Sequence, residues 1–447
     1  MSSYTTNNDQ YENTRRKIAW RILPFVFGLY IVAYLDRANV SFAKLAMAKD
    51  LKFSEEVFGT GFGIFFIGYL FLEIPGALLV ERWSARKWFA RILVTWGICA
   101  TLIALVRTPS QFYWARFLLG VAEAGFFPGI IVYFTHWFAG RDRARALSGL
   151  LVAVPFSLAL GAPISALLLK ANWLGLAGWQ WMFILEGCPA MVLGIATFFY
   201  LPDHPRDARW LTAEERQCIE NILEQEKKQK QKQKQAARRS ALIQALREPN
   251  VWWLALGICA TNIGGYAFLF WLPTTIQSLS GGSPSSAAAW TTLPYALGLL
   301  SVYWSGQSSD RTGERKWHCA GSMAMTAVFL AMSAIPGQSF AWVMFWLCLT
   351  GLAAYFWITP YWVLPTLTLT ESAAAVTIGF INMCANLAGF IGSPVVGWLR
   401  DRGVANQICL LFLASCYLLG AVFISLVRVP PRISPSANLA LAGPVAK

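Results

Sequence analysis

Twelve apolar runs separated by short polar breaks constrain this chain more than any other feature. They fall near residues 18–40, 56–80, 88–106, 110–138, 145–170, 180–201, 251–273, 286–307, 317–335, 340–362, 373–399 and 407–428. A helix of about 20 residues crosses the roughly 30 Å of bilayer hydrocarbon. Backbone exposed to lipid must satisfy its own hydrogen bonds, and runs of this length are too long for barrel strands, so helices are expected. Of the 447 residues, 56% are hydrophobic and 13% charged, against about 25% charged in a soluble domain. The expected class is an all-α membrane protein with 12 transmembrane helices.

The net charge of +14 does not point to nucleic acid, because the Lys and Arg residues cluster in the short breaks, as in cytoplasmic loops. Arg15-Arg16-Lys17, Arg82 with Arg86-Lys87, Arg141 with Arg143 and Arg145, and Arg311 with Arg315-Lys316 all fall on one side. That places both termini in the cytoplasm. Lys44, Lys49, Lys52, Arg400 and Arg402 fall on the outer side, against the trend. The polar stretch 202–249, with its Glu-, Lys- and Gln-rich run near 226–232, reads as a solvated linker with some helix. The expected organisation is a tail over 1–17, a six-helix bundle over 18–201, the linker over 202–249, a second bundle over 250–428, and an unstructured tail over 429–447. Residues 1–14 are polar and the first apolar run has no small-residue cleavage site, so no cleavable leader is expected. The nine Cys show no CxxC or ligand spacing and read as small apolar residues rather than metal ligands. No Gly-rich phosphate loop is present, which removes ATP-driven pumping.

The two halves repeat each other. Glu81-Arg82-Trp83-Ser84-Ala85-Arg86-Lys87-Trp88 matches Asp310-Arg311-Thr312-Gly313-Glu314-Arg315-Lys316-Trp317 at four of eight positions with an offset of 229 residues. Gly161, Pro163 and Leu168 return as Gly392, Pro394 and Leu399 at an offset of 231. Two unrelated motifs with nearly one offset indicate two pseudo-symmetric six-helix bundles. In transporters built this way, the substrate sits near the midplane and the halves rock around it. The paired loops are spaced to act as a conformational latch, with Glu81, Arg82, Arg86, Asp310, Arg311 and Arg315 as its members.

Charges inside the apolar runs locate the chemistry. Asp36 and Arg37 lie side by side in Ala33-Tyr34-Leu35-Asp36-Arg37-Ala38-Asn39-Val40. A charge at the bilayer centre costs roughly 2.5–3.5 kcal/mol on insertion scales, so such a pair is read as functional. In the fourth run, Arg116 and Glu123 are seven residues apart on one helical face, about 10 Å along the axis. An internal ion-pair network is the bland alternative, but buried pairs seldom stabilise more than packed apolar residues do. The arginine fork matches a carboxylate, so Arg37, with Arg116 as a second candidate, would hold an anionic substrate. Asp36 and Glu123 would carry protons, since a desolvated carboxyl keeps its proton to higher pH. Tyr69, Tyr266, Asn382, Asn386 and Trp362 are candidates for the remaining substrate contacts. His136, His204 and His318 fall near helix ends or in the linker and are not read as relays.

The loop Gly306-Gln307-Ser308-Ser309-Asp310-Arg311-Thr312-Gly313-Glu314-Arg315-Lys316 resembles the signature of the major facilitator superfamily. The first-half copy departs from it, with Glu81 for Asp and Ser84 for Gly. Five further stretches resemble the anion:cation symporter family within it. They are Tyr34–Val40, Phe66-Ile67-Gly68-Tyr69 with Ile74-Pro75-Gly76, Arg116–Gly129, Asp203–Arg216, and Ile381–Phe390. The resemblance implies proton-coupled uptake of an organic anion such as a tartrate, sugar acid or aromatic acid across the inner membrane. It implies no cofactor beyond the proton, no enzymatic activity, and a monomer. By motif it carries coupling and binding roles onto Asp36, Arg37, Arg116 and Glu123, then Tyr69, and Asn386 in preference to Asn382. The family's polar contact in the fifth run finds only Ser157 here. A pH-insensitive exchanger or facilitator of the same fold, and a transporter-like sensor acting through the linker, are the competing readings.

Overall fold

The computed structural model describes residues 2–235, 247–368 and 371–429, with side chains from residue 10 onward apart from a few helical positions. The linker segment 236–246 and the tail from 430 lie outside the described residues. The chain folds as helices joined by short turns. They are α1 (Ser2–Leu51), α2 (Glu55–Arg82), α3 (Ala85–Ile103), α4 (Pro109–Glu123), α5 (Phe126–Thr135), α6 (Gly140–Leu151), α7 (Ala153–Leu168), α8 (Gly178–Tyr200) and α9 (Ala213–Gln235). The second half holds α10 (Pro249–Ser280), α11 (Pro284–Thr312), α12 (Lys316–Ser333), α13 (Phe340–Ala354), α14 (Ile358–Tyr361), α15 (Leu364–Thr368), α16 (Glu371–Asp401) and α17 (Asn406–Ser425). Two short strands, β1 (Asn172–Trp173) and β2 (Leu176–Ala177), form an antiparallel hairpin between α7 and α8. Nine spans among the described residues are long and apolar enough to cross a membrane.

Local chemistry sets the helix ends. Ser54, Ser84 and Ser283 accept backbone N–H bonds at the starts of α2, α3 and α11, and Thr108 with Gln111 forms a capping box at α4. Such side chains satisfy amides that have no partner within the helix. α10 and α11 stop at Gly281 and Gly313, both left-handed.

Three of the apolar runs are broken rather than continuous. The 110–138 run parts at Ala124-Gly125, where Gly125 has φ +83°. The 145–170 run divides at Val152, and the 340–362 run breaks after Ala354 into the short α14. α1 departs in the other direction. It runs unbroken from the expected tail to Leu51, eleven residues past the end expected at Val40. Its first turns dock on neighbours: Tyr11 donates to Asp142 at 2.7 Å, Arg15 pairs with Asp142 at 3.0 Å, and Lys17 pairs with Glu215 of α9 at 2.8 Å.

Within the first half α1 packs on α7 and α8, α2 on α4, and α3 on α8. In the second, α10 packs on α16 and α17, and α12 on α13 and α17. The halves meet chiefly through α2 against α16 and α7 against α11. An offset of 229–231 residues carries α2 onto α11 and α7 onto α16, so the two contacts exchange under the sequence repeat.

Backbone proximity between α2 and α4 depends on missing side chains. A Cβ on Gly120 would stand 2.1 Å from the Phe65 carbonyl oxygen, and one on Gly68 2.2 Å from that of Phe117. Small residues are how membrane helices approach this closely, and the contact sets Arg116 of α4 against Gly61 and Phe65 of α2. Gly120→Leu should force these helices apart and lower stability by about 1–3 kcal/mol. The check is the thermal unfolding midpoint in detergent, with Gly140→Ala as an expected neutral control, since no atom stands within 4 Å of a Cβ there.

Candidate functional site

A cavity of about 170 Å³ opens between the halves, many times the 10–15 Å³ of comparable space that one water needs. Each of the three broken runs reaches it near its break. Glu123, Phe126 and Phe127 come from α4 and α5, Leu151 and Val154 from α6 and α7, and Tyr355, Trp357 and Trp362 from around α14. Non-helical backbone at membrane depth is tolerated where it lines a cavity or is buried in protein.

Arg37 lies fourteen residues before the end of α1, about 21 Å of helix. It is 7% exposed and lines the cavity. One Nη donates to Glu123 Oε1 in a short ion pair, while its Nε and Glu123 Oε2 have no hydrogen-bond partner among the described residues. The rings of Tyr34, Phe65 and Tyr69 stand 4.9, 5.3 and 5.5 Å from the guanidinium carbon, a cation–π surround that tolerates the charge when its anion moves. The unfilled donors and acceptors leave the pair able to exchange partners.

Asp36 points the other way. It is 1% exposed, off the cavity wall, and accepts from Trp96 Nε1 at 2.6 Å and Asn39 Nδ2 at 3.0 Å. Arg116 corrects the expectation of substrate contact. It is 0% exposed and absent from the cavity wall. Its Nε donates to the Gly61 carbonyl at 3.2 Å and it lies over Phe65, leaving both Nη atoms without partners. The tight α2–α4 approach draws it behind the aromatic wall.

Tyr69, Tyr266, Trp362, Asn382 and Asn386 all line the cavity. Tyr266 packs across the halves against Phe66, with ring centroids 4.4 Å apart and planes tilted by 56°. Sequence reading left open which asparagine faces the site, and here both do. Both amides donate to one Glu73 oxygen, Asn386 at 2.9 Å. Glu73 was missed, as was Glu186, a buried acid of α8. Each is a lone carboxylate in an apolar run, the same signal that exposed Asp36.

Among the loop residues expected to latch, the described ion pairs are local and do not join the two bundles. Arg86 pairs with Asp203 at 3.5 Å, and Ser84 donates to the same carboxylate at 2.8 Å. Arg315 pairs with Asp310 at 2.6 Å. Arg82 and Arg311 are exposed, and the Glu81 side chain lies outside the described residues.

Another polar cluster joins the halves at the opposite end. Lys44, expected on the outer surface, is 2% exposed. It donates to Glu55 at 3.0 Å and to Thr274 at 3.2 Å, with the Trp271 ring 4.8 Å away. Arg400 of α16 donates to the other Glu55 oxygen at 2.9 Å, and the Glu55 amide reaches Asp401 at 3.2 Å. Ser285 of α11 donates to the Ala166 carbonyl of α7 at 2.5 Å, a further bond between the halves. These contacts close the Leu51 and Asp401 end.

The profile described as "Major Facilitator Superfamily" matches residues 26–393. The chain belongs to the major facilitator superfamily. A protein of Agrobacterium vitis named "Putative tartrate transporter" is 40% identical over 434 residues, covering 96% of this chain and 94% of its own length. The "Quinolone resistance transporter" of Acinetobacter baumannii is 34% identical over 92% of this chain and 94% of its own, as is the "Inner membrane transport protein RhmT" of Escherichia coli. The crystal structure of a D-xylose–proton symporter superposes with TM-score 0.71 at 16% identity, over 92% of this chain and 98% of its own. An inward-facing bacterial homologue of the lysosomal transporter Spinster gives 0.71 at 15%, over 93% and 95%. These likenesses establish the fold. The relatives are named as transporters, not enzymes, and the chain is a multi-pass membrane transporter of this superfamily.

Glu55 ties two cations from opposite halves, so Glu55→Gln should loosen the closed end. Lys44 is buried and the Glu55 side chain 30% exposed, so loss of the hub charge should shift the balance by more than an exposed pair would, at least about 1 kcal/mol or roughly fivefold in the ratio of states. Spin labels at Ser54 and Arg402 should show a larger long-distance fraction in the variant than in the parent.

Proposed function

We propose that this protein is a proton-coupled symporter that takes up a small organic carboxylate by alternating access. The observation that carries the reading is the Arg37–Glu123 pair on the cavity wall. It offers one guanidinium to an anion and one carboxyl to a proton, and the ionised carboxyl competes with the anion for the guanidinium. A proton on Glu123 weakens its hold on Arg37, which then accepts a substrate carboxylate through its planar fork. Asp36, bonded to Trp96 and Asn39 directly behind Arg37 in the chain, is the second proton carrier. Tyr69, Tyr266, Asn382, Asn386 and Trp362 shape the remainder of the site, and Glu73 holds both amides in place. Arg116 supplies positive potential to Asp36 and Glu123 from behind the wall.

The reading includes twelve spans in two bundles, both termini in the cytoplasm, the inner membrane as location and a monomer as the working unit. In that orientation the Lys44–Glu55–Arg400 cluster seals the outer side and the cavity belongs to an inward-facing state. The 40% identical relative of Agrobacterium vitis supports a short hydroxylated dicarboxylate such as tartrate as the first substrate to examine. The polar-and-aromatic cavity wall is compatible with that and with aromatic acids.

Uptake of labelled acids into proteoliposomes tests this. The panel holds tartrates, aldonates, aldarates, benzoate-like acids and plain dicarboxylates. At least one should accumulate when the outside is acid, and a protonophore should collapse the accumulation. Arg37→Ala should raise the half-saturating concentration at least tenfold, whereas Asp36→Asn should keep binding and lose gradient-driven accumulation. Counterflow indifferent to pH, with Asp36→Asn fully active in accumulation, would overturn the reading in favour of an exchanger.

A further inference from the structure

The second half lines the cavity with three asparagines, Asn262 of α10 and Asn382 and Asn386 of α16. In all three the amide nitrogen is already taken by the protein. Asn262 Nδ2 donates to the Ala385 carbonyl at 3.2 Å. The Nδ2 atoms of Asn382 and Asn386 both donate to Glu73 Oε1, that of Asn386 at 2.9 Å. Glu73 itself is 7% exposed on α2 and off the cavity wall. A backbone carbonyl only accepts, so the partner of Asn262 settles which end of that amide is the NH₂. An ionised carboxylate oxygen likewise only accepts, and even a protonated one could donate to one of its two amides but not to both.

The free ends of these amides are their carbonyl oxygens. Among the described residues none of the three oxygens accepts a hydrogen bond, and none is a buried atom left without one. Each is therefore open to the space its residue lines. No Lys, Arg or His stands on the second half's share of the wall. Its other polar groups are tyrosine hydroxyls and the indoles of Trp357 and Trp362. An apolar ligand edge against this row would leave dry carbonyls unpaired, which costs binding. A carboxylate there would meet acceptors with Glu73 behind two of them. An O–H group pairs with them directly.

The geometry points to a substrate whose carboxylate meets Arg37 and whose hydroxyl groups donate to the three amide carbonyls. That is a hydroxylated carboxylate, not a bare dicarboxylate or an aromatic acid. Glu73 is the positioning residue that turns Asn382 and Asn386 carbonyl-outward, and the Ala385 carbonyl does the same for Asn262. Glu73 belongs to the first half and its two amides to the second, so this acceptor row is complete only while α2 and α16 stay together at cavity depth. The inference rests on the reading of Arg37 as the partner of the anion.

Calorimetric binding of matched acids to the full-length protein tests it. The pairs are tartrate with succinate and gluconate with hexanoate, each alike in chain length and carboxylate count, with benzoate and the neutral polyol sorbitol alongside. In the parent the better-bound hydroxylated acid should exceed its bare partner by about tenfold or more, since a site built to pair with hydroxyls rejects analogues that lack them. Glu73→Met removes the acceptor behind two amides and should bring that pair within about threefold, the worth of roughly one hydrogen bond. Glu73→Gln keeps a carbonyl for both amides and should keep the preference. A bare acid bound as tightly as its hydroxylated partner, benzoate bound more tightly than both hydroxylated acids, or a preference unmoved in Glu73→Met overturns the inference. A preference lost equally in Glu73→Gln and Glu73→Met overturns the positioning role, because charge and not the acceptor then matters. Should Glu73→Met fail to fold, Asn262→Leu removes one carbonyl without touching Glu73 and should lower the preference, and an unmoved preference there is equally fatal. Sorbitol bound as tightly as gluconate would overturn the anion reading and leave the hydroxyl row standing. A hydroxyl preference with uptake indifferent to pH would overturn symport alone.

Discussion

A guanidinium held at the depth of lipid hydrocarbon needs an anion beside it, and Arg37 meets that need with Glu123. The pair is not sealed. Arg37 lines the cavity, its Nε and Glu123 Oε2 have no hydrogen-bond partner among the described residues, and three aromatic rings surround the cation. Burying such a pair seldom stabilises a fold beyond what apolar packing achieves. Its value lies in being exchangeable, since a proton for the acid and a carboxylate for the base together replace the pair without leaving a bare charge. The surrounding architecture serves that exchange. The glycine contacts of α2 with α4 set the distance of Glu123 from α2, and the break at Gly125 ends α4 directly after it.

The polar contacts described between the halves divide by depth. Near the Leu51 end, Lys44, Glu55 and Arg400 share a three-residue network. At cavity level, Glu73 of α2 takes both asparagines of α16. Toward the linker end, the ion pairs of Arg86 with Asp203 and of Arg315 with Asp310 are local and do not join the two bundles. A rocking motion that opened the Leu51 end would have to part the Glu55 hub. Lys44 is 2% and Arg400 12% exposed, while the Glu55 side chain keeps 30% exposure, so water reaches the hub first through Glu55.

Much of this was legible in the sequence. The lengths of the apolar runs announced a helical membrane protein, and the doubled offset of about 230 residues announced the internal repeat under which the α2–α16 and α7–α11 contacts exchange. Asp36, Arg37 and Glu123 stood out because lipid tolerates charge so poorly. The same rule applied evenly would have singled out Glu73 and Glu186. What the sequence could not reveal was direction. Arg116 and Arg37 look equivalent as letters, yet the close approach of Gly120 to Phe65 draws Arg116 behind the wall while Arg37 faces the cavity. Lys44 read as a surface charge because its partners, Glu55 and Thr274, come from other helices and one from the other half. Two of the helix breaks carried local signals. Gly125 marks one of them, and at Val152 the signal is Pro155, which has no N–H for the Leu151 carbonyl.

The central claim is that proton and anion together replace one ion pair, so anion binding should take up protons even without a membrane gradient. Calorimetry of the purified protein with its best-bound acid, repeated in buffers of different ionisation enthalpy, reads that uptake directly. The account expects a net proton gained per anion bound near neutral pH, and little or no gain in Glu123→Gln, which binds the acid with its arginine already released. Tight binding with no proton uptake in the parent, unchanged by Glu123→Gln, would contradict it.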